Sequence, residues 1–141
     1  MFNSLIKKIM AFFMAIASIF VIGNANNVDV TIDEAITTQS SAITFSMENK
    51  TGKIISQLNE VIVERKTDDG WTAVSEVAFM RNDIGITINP GEIYKTSIYT
   101  DSYLGESHLT AGTYRLTVSY NCHSLTQKQG SASVEFTVTE A

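Results

Sequence analysis

The sequence has few of the side chains that cross-link proteins or interrupt their secondary structure. Cys122 is the only cysteine, so the chain cannot form an internal disulfide, and its fold must depend on a hydrophobic core. We expect Cys122 to be a small, partly buried hydrophobic residue; an intermolecular disulfide or a reactive thiol is the alternative. Pro90 is the only proline, which excludes a proline-rich linker.

Histidine is also scarce, which limits the kinds of catalytic site that the chain can build. His108 and His123 are the only two, and no Gly-x-Ser-x-Gly elbow is present. Cys122 precedes His123, but neighbouring residues of a strand point to opposite faces, so the two side chains would diverge. The sequence therefore predicts a protein that is not an enzyme.

Metal and cofactor motifs are missing as well. Asp68, Asp69 and Asp101 are carboxylates in predicted loops, but their spacing does not match a calcium-binding loop. We interpret them as solvated turn residues and predict no metal or cofactor. The segment 49–51 (Asn-Lys-Thr) matches a glycosylation sequon, which matters only if the source is eukaryotic.

The N-terminal residues have the three-part layout of a secretory signal peptide. Lys7 and Lys8 precede the uncharged segment 9–22, and small residues follow it. Fourteen residues in a helix span about 21 Å, less than the hydrocarbon core of about 30 Å. The sequence predicts a signal peptide over 1–25 and one mature domain over 26–141, secreted or associated with the cell surface. An uncleaved N-terminal anchor is the alternative.

The chain has fewer basic than acidic side chains. The chain has 10 Lys and Arg against 15 Asp and Glu, a formal net charge of −5, and cleavage would remove two of the lysines. An acidic surface repels nucleic acid and anionic lipid headgroups. We therefore expect no nucleic-acid partner and no membrane insertion after signal cleavage.

The mature region has a hydrophobic period of two, which is typical of half-buried strands. Strict alternation occurs in five segments: 28–32, 43–47, 84–88, 114–120 and 132–138. The last two are expected to be neighbours. Segment 58–66 is apolar without strict alternation, which predicts a strand that is buried on both sides or carries a bulge. Segment 93–100 is also predicted to be a strand, with its inward face unassigned.

Turn signals divide these strands at regular intervals. Thr67–Gly70 predicts a hairpin turn with residues 71–74 as the returning strand, and further turns are expected at 49–52, 89–91 and 111–112. We predict an all-β, antiparallel sandwich of seven or eight strands after the signal helix, with one helical turn near Tyr103. A closed barrel is the alternative. The polar stretch 121–131 is predicted to be an exposed loop between the last two strands.

Three short segments carry a family resemblance. Residues 61–71 (VIVERKTDDGW), together with 88–92 (INPGE) and 109–116 (LTAGTYRL), resemble bacterial immunoglobulin-like domains of secreted and surface proteins. The resemblance implies an immunoglobulin-like sandwich without enzymatic activity. The residues that carry it have structural explanations in packing and turn geometry: Trp71, Pro90, Gly91, Gly112 and Tyr114.

Two aromatic residues within these stretches have specific expected roles. Tyr114 follows a turn at the start of a strand, where the hydroxyl of a tyrosine corner bonds backbone upstream. Trp71 is expected to fill a core or edge position rather than to stack on a sugar.

The function that the sequence favours is a non-catalytic binding module that contacts a protein partner of unknown identity. Exposed loop residues are the candidates for contact: Tyr99, Tyr103, His108 and His123. A proteinase inhibitor is an alternative, because a bacterial inhibitor family has a similar Pro-Gly-Glu turn and Gly-Thr-Tyr strand entry. An assembly subunit that pairs through strand edges, with 28–32 as donor strand, is another. The oligomeric state stays open.

Overall fold

The computed structural model describes residues 27–74, 86–123 and 128–141. The predicted signal peptide and its cleavage site lie outside these residues. The strands are β1 (Val28–Ile32), β2 (Ile36–Thr37), β3 (Ala42–Asn49), β4 (Ile55–Thr67), β5 (Gly70–Ala73), β6 (Ile86–Ile88), β7 (Ile93–Tyr99), β8 (Gly112–Cys122) and β9 (Lys128–Thr139). A single helical turn, α1 (Thr100–Tyr103), follows β7, as predicted.

The strands form two sheets around one hydrophobic cluster. The small sheet has the order β1-β3-β7, and the large sheet has the order β2-β9-β8-β4-β5, with β6 also paired to β4. Side chains from both sheets meet in the core, among them Phe45 from β3 and Leu116 from β8, both completely buried. The predicted sandwich is therefore confirmed.

The inward faces follow the alternation seen in the sequence. In β3 the buried apolar residues are Ile43, Phe45 and Met47, and the inward residues of β8 and β9 alternate in the same way. The predicted neighbours β8 and β9 pair antiparallel along their whole length. The strand predicted over 84–88 is present as β6, and residues 84 and 85 lie outside the described part.

The irregular segment before the hairpin turn carries a register shift. The pairing of β4 with β8 slips between Gln57 and Val61, as expected of a strand that contains a bulge. Beyond the shift, Val61 and Val63 face the core. The hairpin turn then returns the chain as β5, with Thr67 opposite Gly70.

One strand pair departs from the antiparallel prediction. Ile36 and Thr37 form the short strand β2, which runs parallel to the end of β9. This addition makes nine strands among the described residues, instead of seven or eight. Two residues are too few to show a period, so no pattern in the sequence indicates β2.

The loop predicted over 121–131 is wrong for most of its length. β8 continues to Cys122 and β9 begins at Lys128, so only 123–127 remain between the strands. The stretch suggested a loop because most of its side chains are polar. Residues 121–122 and 128–131 instead occupy the ends of two long paired strands, where Gly130 lies opposite Tyr120.

Candidate interaction surface

A buried threonine fixes the loop that follows β7. Thr100 is 1% exposed, and its backbone N–H donates to the carbonyl of Ser41 at 2.9 Å. Its hydroxyl donates to the carbonyl of Ser107 at 2.8 Å. Its own carbonyl accepts from the backbone N–H groups of Leu104 and Glu106, each at 3.2 Å. Thr100 therefore joins both ends of residues 99–108, which we call the Tyr99 loop, to the neighbouring turn before β3.

Two buried leucines attach the same loop to the hydrophobic core. Leu104 and Leu109 are 4% and 2% exposed and belong to the core cluster. Above them, the loop presents Tyr99, 53% exposed, together with the exposed carboxylates of Asp101 and Glu106. An aromatic side chain is thus displayed with acidic neighbours on a backbone that hydrogen bonds and apolar packing keep in place.

The other predicted contact residues occupy different environments. His108 is exposed at the end of the Tyr99 loop, where its Nδ1 lies 3.3 Å from the carbonyl oxygen of Ser40. Tyr103 is half-buried and packs against the core, so it offers less contact area than its place in the sequence suggests. His123 lies at the opposite end of the sandwich, with its Nε2 bonded to the hydroxyl of Ser56. The structure therefore brings together Tyr99, Tyr103 and His108 but not His123.

The opposite end of the sandwich is organised by Asn49. This side chain is completely buried, and its Nδ2 donates to the carbonyls of Lys53 at 2.6 Å and Ile88 at 2.9 Å. Its Oδ1 accepts from the backbone N–H of Thr51 at 3.0 Å and from the Thr51 hydroxyl at 2.7 Å. Asn49 thereby joins the loop before β4 to the end of β6. The glycosylation sequon has no accessible acceptor nitrogen in the folded chain.

The turn before β7 is attached to the same asparagine through its backbone. The N–H of Gly91 donates to the carbonyl of Asn49 at 2.8 Å, and Gly91 has φ 80°, a conformation that favours glycine. Pro90 precedes it in the turn. The carboxylate of Glu92 accepts hydrogen bonds from the backbone N–H and from the side-chain amide of Asn89. These bonds, the backbone one foremost, lower the pKa of Glu92. Pro90 and Gly91 therefore serve turn geometry.

An ion pair next to Asn49 balances two acidic side chains. Asp29 and Glu48 lie opposite each other across β1 and β3. The ammonium group of Lys50 bonds to both carboxylates, and the bond to Asp29 is the main cause of the raised pKa of Lys50. Without Lys50 the two carboxylates would repel each other directly across the strands.

Trp71 lies on the edge strand β5 rather than in the core. It is opposite Lys66 on the face of the large sheet that points away from the small sheet. The guanidinium of Arg115 covers its ring at 4.5 Å from the centroid, and the same guanidinium bonds to Glu64 at 2.7 Å. One face of the indole is therefore already occupied by a cation.

Tyr114 has the geometry of a tyrosine corner. Its ring is 1% exposed and stacks on Phe136 with the centroids 5.6 Å apart. Its hydroxyl donates to the carbonyl of Thr110 at 2.7 Å, four residues upstream. Gly112 begins β8 between these two residues. The corner fixes the chain where the segment after the Tyr99 loop enters β8.

Replacing Tyr114 by phenylalanine is expected to lower the free energy of unfolding by about 1 to 1.5 kcal/mol, because the carbonyl of Thr110 loses its donor while the ring stays in place. Urea unfolding followed by circular dichroism measures this change, and the m-value should not alter. Tyr94→Phe, at a half-buried tyrosine outside the corner, is the matched control and should change stability by less than about 0.5 kcal/mol. Equal effects of the two variants would contradict the role of the corner.

Two further features of the described residues bear on function. Within 27–74, 86–123 and 128–141, no group of three or more His, Cys, Asp or Glu side chains is arranged to hold a metal ion. In the same part of the chain, no helix is long and apolar enough to span a membrane.

Cys122 is half-buried against the core, as the sequence predicts.

One of the solved structures that resemble this chain shares its architecture. The chain resembles the X-ray structure of the structural genomics target SoR45 with a TM-score of 0.51 and 16% identity, over 84% of this chain and 90% of that one. The PapD-like (ASH) domain 7 of human CEP192 matches with a TM-score of 0.40 and 17% identity, over 83% and 88% of the two chains. The comparison with curated proteins gives no match. The likeness to SoR45 shows a shared sandwich fold.

A family model identifies the sandwich more specifically. The model of the bacterial Ig-like domain matches residues 24–136, a range that begins just before β1 and ends within β9. The matched range contains every strand except the last three residues of β9. The chain belongs to the family of bacterial Ig-like domains.

Proposed function

We propose that this protein is an exported binding module that acts at the cell surface or outside the cell, without catalysis, by holding a protein partner at the Tyr99 loop. The observation that carries the proposal is a largely exposed tyrosine on a loop whose two ends are joined by the buried Thr100. Bacterial Ig-like domains are typically non-catalytic modules, which supports a role in binding. The signal-peptide pattern supports export.

Preorganisation is the physical reason for choosing this loop. Ordering a flexible loop on binding costs free energy, and a loop that is already ordered avoids that cost. Tyrosine adds a large contact area for two rotatable bonds, which suits a contact residue. Tyr99 has this combination, with its backbone at the end of β7 and its side chain in solvent.

The charge around Tyr99 supports a partner with a basic surface. Asp101 and Glu106 are exposed on the same loop, and the whole chain carries a net charge of −5. Complementary charge accelerates encounter and excludes acidic competitors. We therefore expect binding that weakens as salt increases, because exposed charges are screened over about 8 Å at physiological ionic strength.

Replacing Tyr99 by alanine is expected to weaken partner binding about tenfold, since a central aromatic contact is lost. The mature chain 26–141, immobilised, would capture the partner from envelope or host extracts, and binding of the purified partner would then be titrated by interferometry. Asp101→Asn with Glu106→Gln should weaken binding mainly by slowing association, and this effect should fade at high salt.

Ile54→Ala is the matched control, because Ile54 is an exposed apolar residue at the opposite end of the sandwich. This variant should bind as the original chain does. Retention of full affinity by Tyr99→Ala, with saturable binding otherwise intact, would remove the Tyr99 loop from the proposal.

A further inference from the structure

The outer edge of the small sheet is formed by β7. Among the residues that the structure describes, β7 pairs with β3 alone. Two hydrogen bonds fix which of its backbone groups are used, because the N–H of Asn49 donates to the carbonyl of Glu92 and the N–H of Thr100 donates to the carbonyl of Ser41. In an antiparallel ladder such bonds recur at every second residue. The even-numbered residues of β7 therefore bond to β3, and the odd-numbered residues direct their backbone groups to the edge.

The side chains of the same odd-numbered residues lie on the face of the small sheet that points away from the core, and all except the half-buried Ser97 are exposed. Ile93 at one end of β7 is 62% exposed and Tyr99 at the other end is 53% exposed. They are two of the three large hydrophobic residues that are exposed in the described part of the chain. Lys95 and Ser97 lie between them, and Lys95 is the charge that usually discourages pairing of an edge strand. The edge therefore combines backbone groups that no described residue pairs with an apolar residue at each end.

We propose that β7 of one copy pairs antiparallel with β7 of a second copy, about a two-fold axis at Thr96. In this register Ile93 lies opposite Tyr99 of the second copy, and Tyr99 lies opposite Ile93 of the second copy. Lys95 lies opposite Ser97 of the second copy, so no like charges face each other directly. The two small sheets then become one continuous six-stranded sheet.

The backbone pattern selects this register. Odd-numbered residues must face odd-numbered residues for the edge groups to bond, and the axis at Thr96 satisfies that condition for all four on each strand. A shift of two residues keeps the bonding pattern but places Tyr99 opposite Lys95 or beyond the strand, and it shortens the overlap. Pairing of an aromatic with a β-branched residue is also the favoured cross-strand combination.

The interface is small, so the expected dimer is reversible. A single pair of seven-residue strands lies at the low end of specific interfaces, where binding is weak and transient. We expect dissociation constants on the order of 10 μM. A two-fold contact of this type uses the same edge on both copies, so assembly stops at the dimer.

A disulfide trap tests the register directly. Thr96 faces its own counterpart across the axis as a pair without mutual hydrogen bonds, for which the Cα atoms lie about 4.5 Å apart, within reach of a disulfide. Thr96→Cys in a Cys122→Ser background, exposed to oxidised glutathione at about 50 μM protein, should give covalent dimers. Thr137→Cys is the control: this residue is more exposed than Thr96 but lies on β9. Its thiol should cross-link much more slowly.

Sedimentation velocity tests the interface without a cross-link. The mature chain should sediment as a monomer near 1 μM and increasingly as a dimer near 100 μM. Ile93→Asp should abolish the dimer, and Ser97→Pro should do the same by removing an edge N–H that β3 does not use. Ile54→Asp, which adds the same charge outside β7 in the segment before β4, should leave the dimer intact.

The outcomes distinguish dimerisation through β7 from partner binding at the Tyr99 loop. Ile93→Asp leaves Tyr99 and the rest of its loop unchanged, so loss of the dimer with retained partner binding shows that the partner binds at Tyr99 without the dimer. A mature chain that is monomeric at about 200 μM, with Thr96→Cys no faster to cross-link than Thr137→Cys, would overturn the proposal. A dimer that survives Ile93→Asp, with folding verified by circular dichroism, would also overturn it.

Discussion

Asn49→Ala is expected to lower the free energy of unfolding by about 3 to 5 kcal/mol. The change removes the donor to the buried carbonyl of Ile88, and a buried acceptor left without a partner costs about 1 to 3 kcal/mol. It also removes the bond to the carbonyl of Lys53, which keeps the Thr51 hydroxyl as a second donor. It also opens a polar cavity at a position that is completely buried. Urea unfolding of the mature chain measures the effect, with the m-value as the test that unfolding stays two-state.

Two companion variants separate the hydrogen bonds of Asn49 from its volume. Asn49→Asp keeps the shape of the side chain but places a carboxylate against the two carbonyl oxygens, so at neutral pH it should destabilise at least as much as alanine. Thr51→Val, which removes only the hydroxyl on the other side of the amide, should cost about 1 kcal/mol. A loss below about 1 kcal/mol for Asn49→Ala would show that this end of the sandwich does not depend on the amide.

Strand phase and turns were open to prediction from sequence because each depends on neighbours along the chain. The alternation of Ile43, Phe45 and Met47 placed one face of β3 in the core, where all three are completely buried. Asp69 and Gly70 likewise indicated a hairpin turn before the chain returned to the sheet. Local patterns of this kind also suffice to recognise Ala-Gly-x-Tyr as the entry to β8.

Contacts between distant segments were not open to prediction in the same way. Asn49 continues the inward phase of β3, and a polar residue in that phase was the one signal that it is buried. Its partners Lys53 and Ile88 come from other segments, so the turn chemistry of 49–52 suggested only a turn. Thr100 follows a strand as many loop threonines do, and no local feature indicates that it joins Ser41 to Ser107.

In the candidate site, too, some features could be predicted from the sequence and others could not. The segment around Tyr99 was predicted as a contact loop from its tyrosines, and the structure places Tyr99 in solvent but Tyr103 against the core. Tyr99 is exposed because it lies in the outward phase of β7, whereas the position of Tyr103 depends on which side of α1 faces the sandwich, which one helical turn cannot show in a sequence. Trp71 was also ambiguous, because an edge strand and a core strand use the same residue types.

Gly130→Ala is expected to lower the free energy of unfolding by about 1 to 3 kcal/mol, although the sequence suggests a harmless loop substitution. Gly130 lies opposite Tyr120, and a Cβ atom at this glycine would be 2.6 Å from Cζ of the ring and 2.7 Å from its hydroxyl. The ring cannot swing away freely, because it is 6% exposed. Burial raises the pKa of its hydroxyl, which also takes part in a hydrogen bond with the backbone of Val28.

A double-mutant cycle shows whether the ring is the cause. Tyr120→Leu removes the atoms that the new methyl group would meet, so Gly130→Ala should destabilise the Tyr120→Leu variant by less than about 0.5 kcal/mol. Ser131→Ala, at the exposed neighbour of Gly130, should be near neutral in both backgrounds. Additive losses for Gly130→Ala and Tyr120→Leu would contradict the contact and would point instead to the backbone freedom of the glycine. Coupled losses would establish that β8 and β9 are joined by close packing of an aromatic ring on a backbone, in a stretch whose composition resembles a loop.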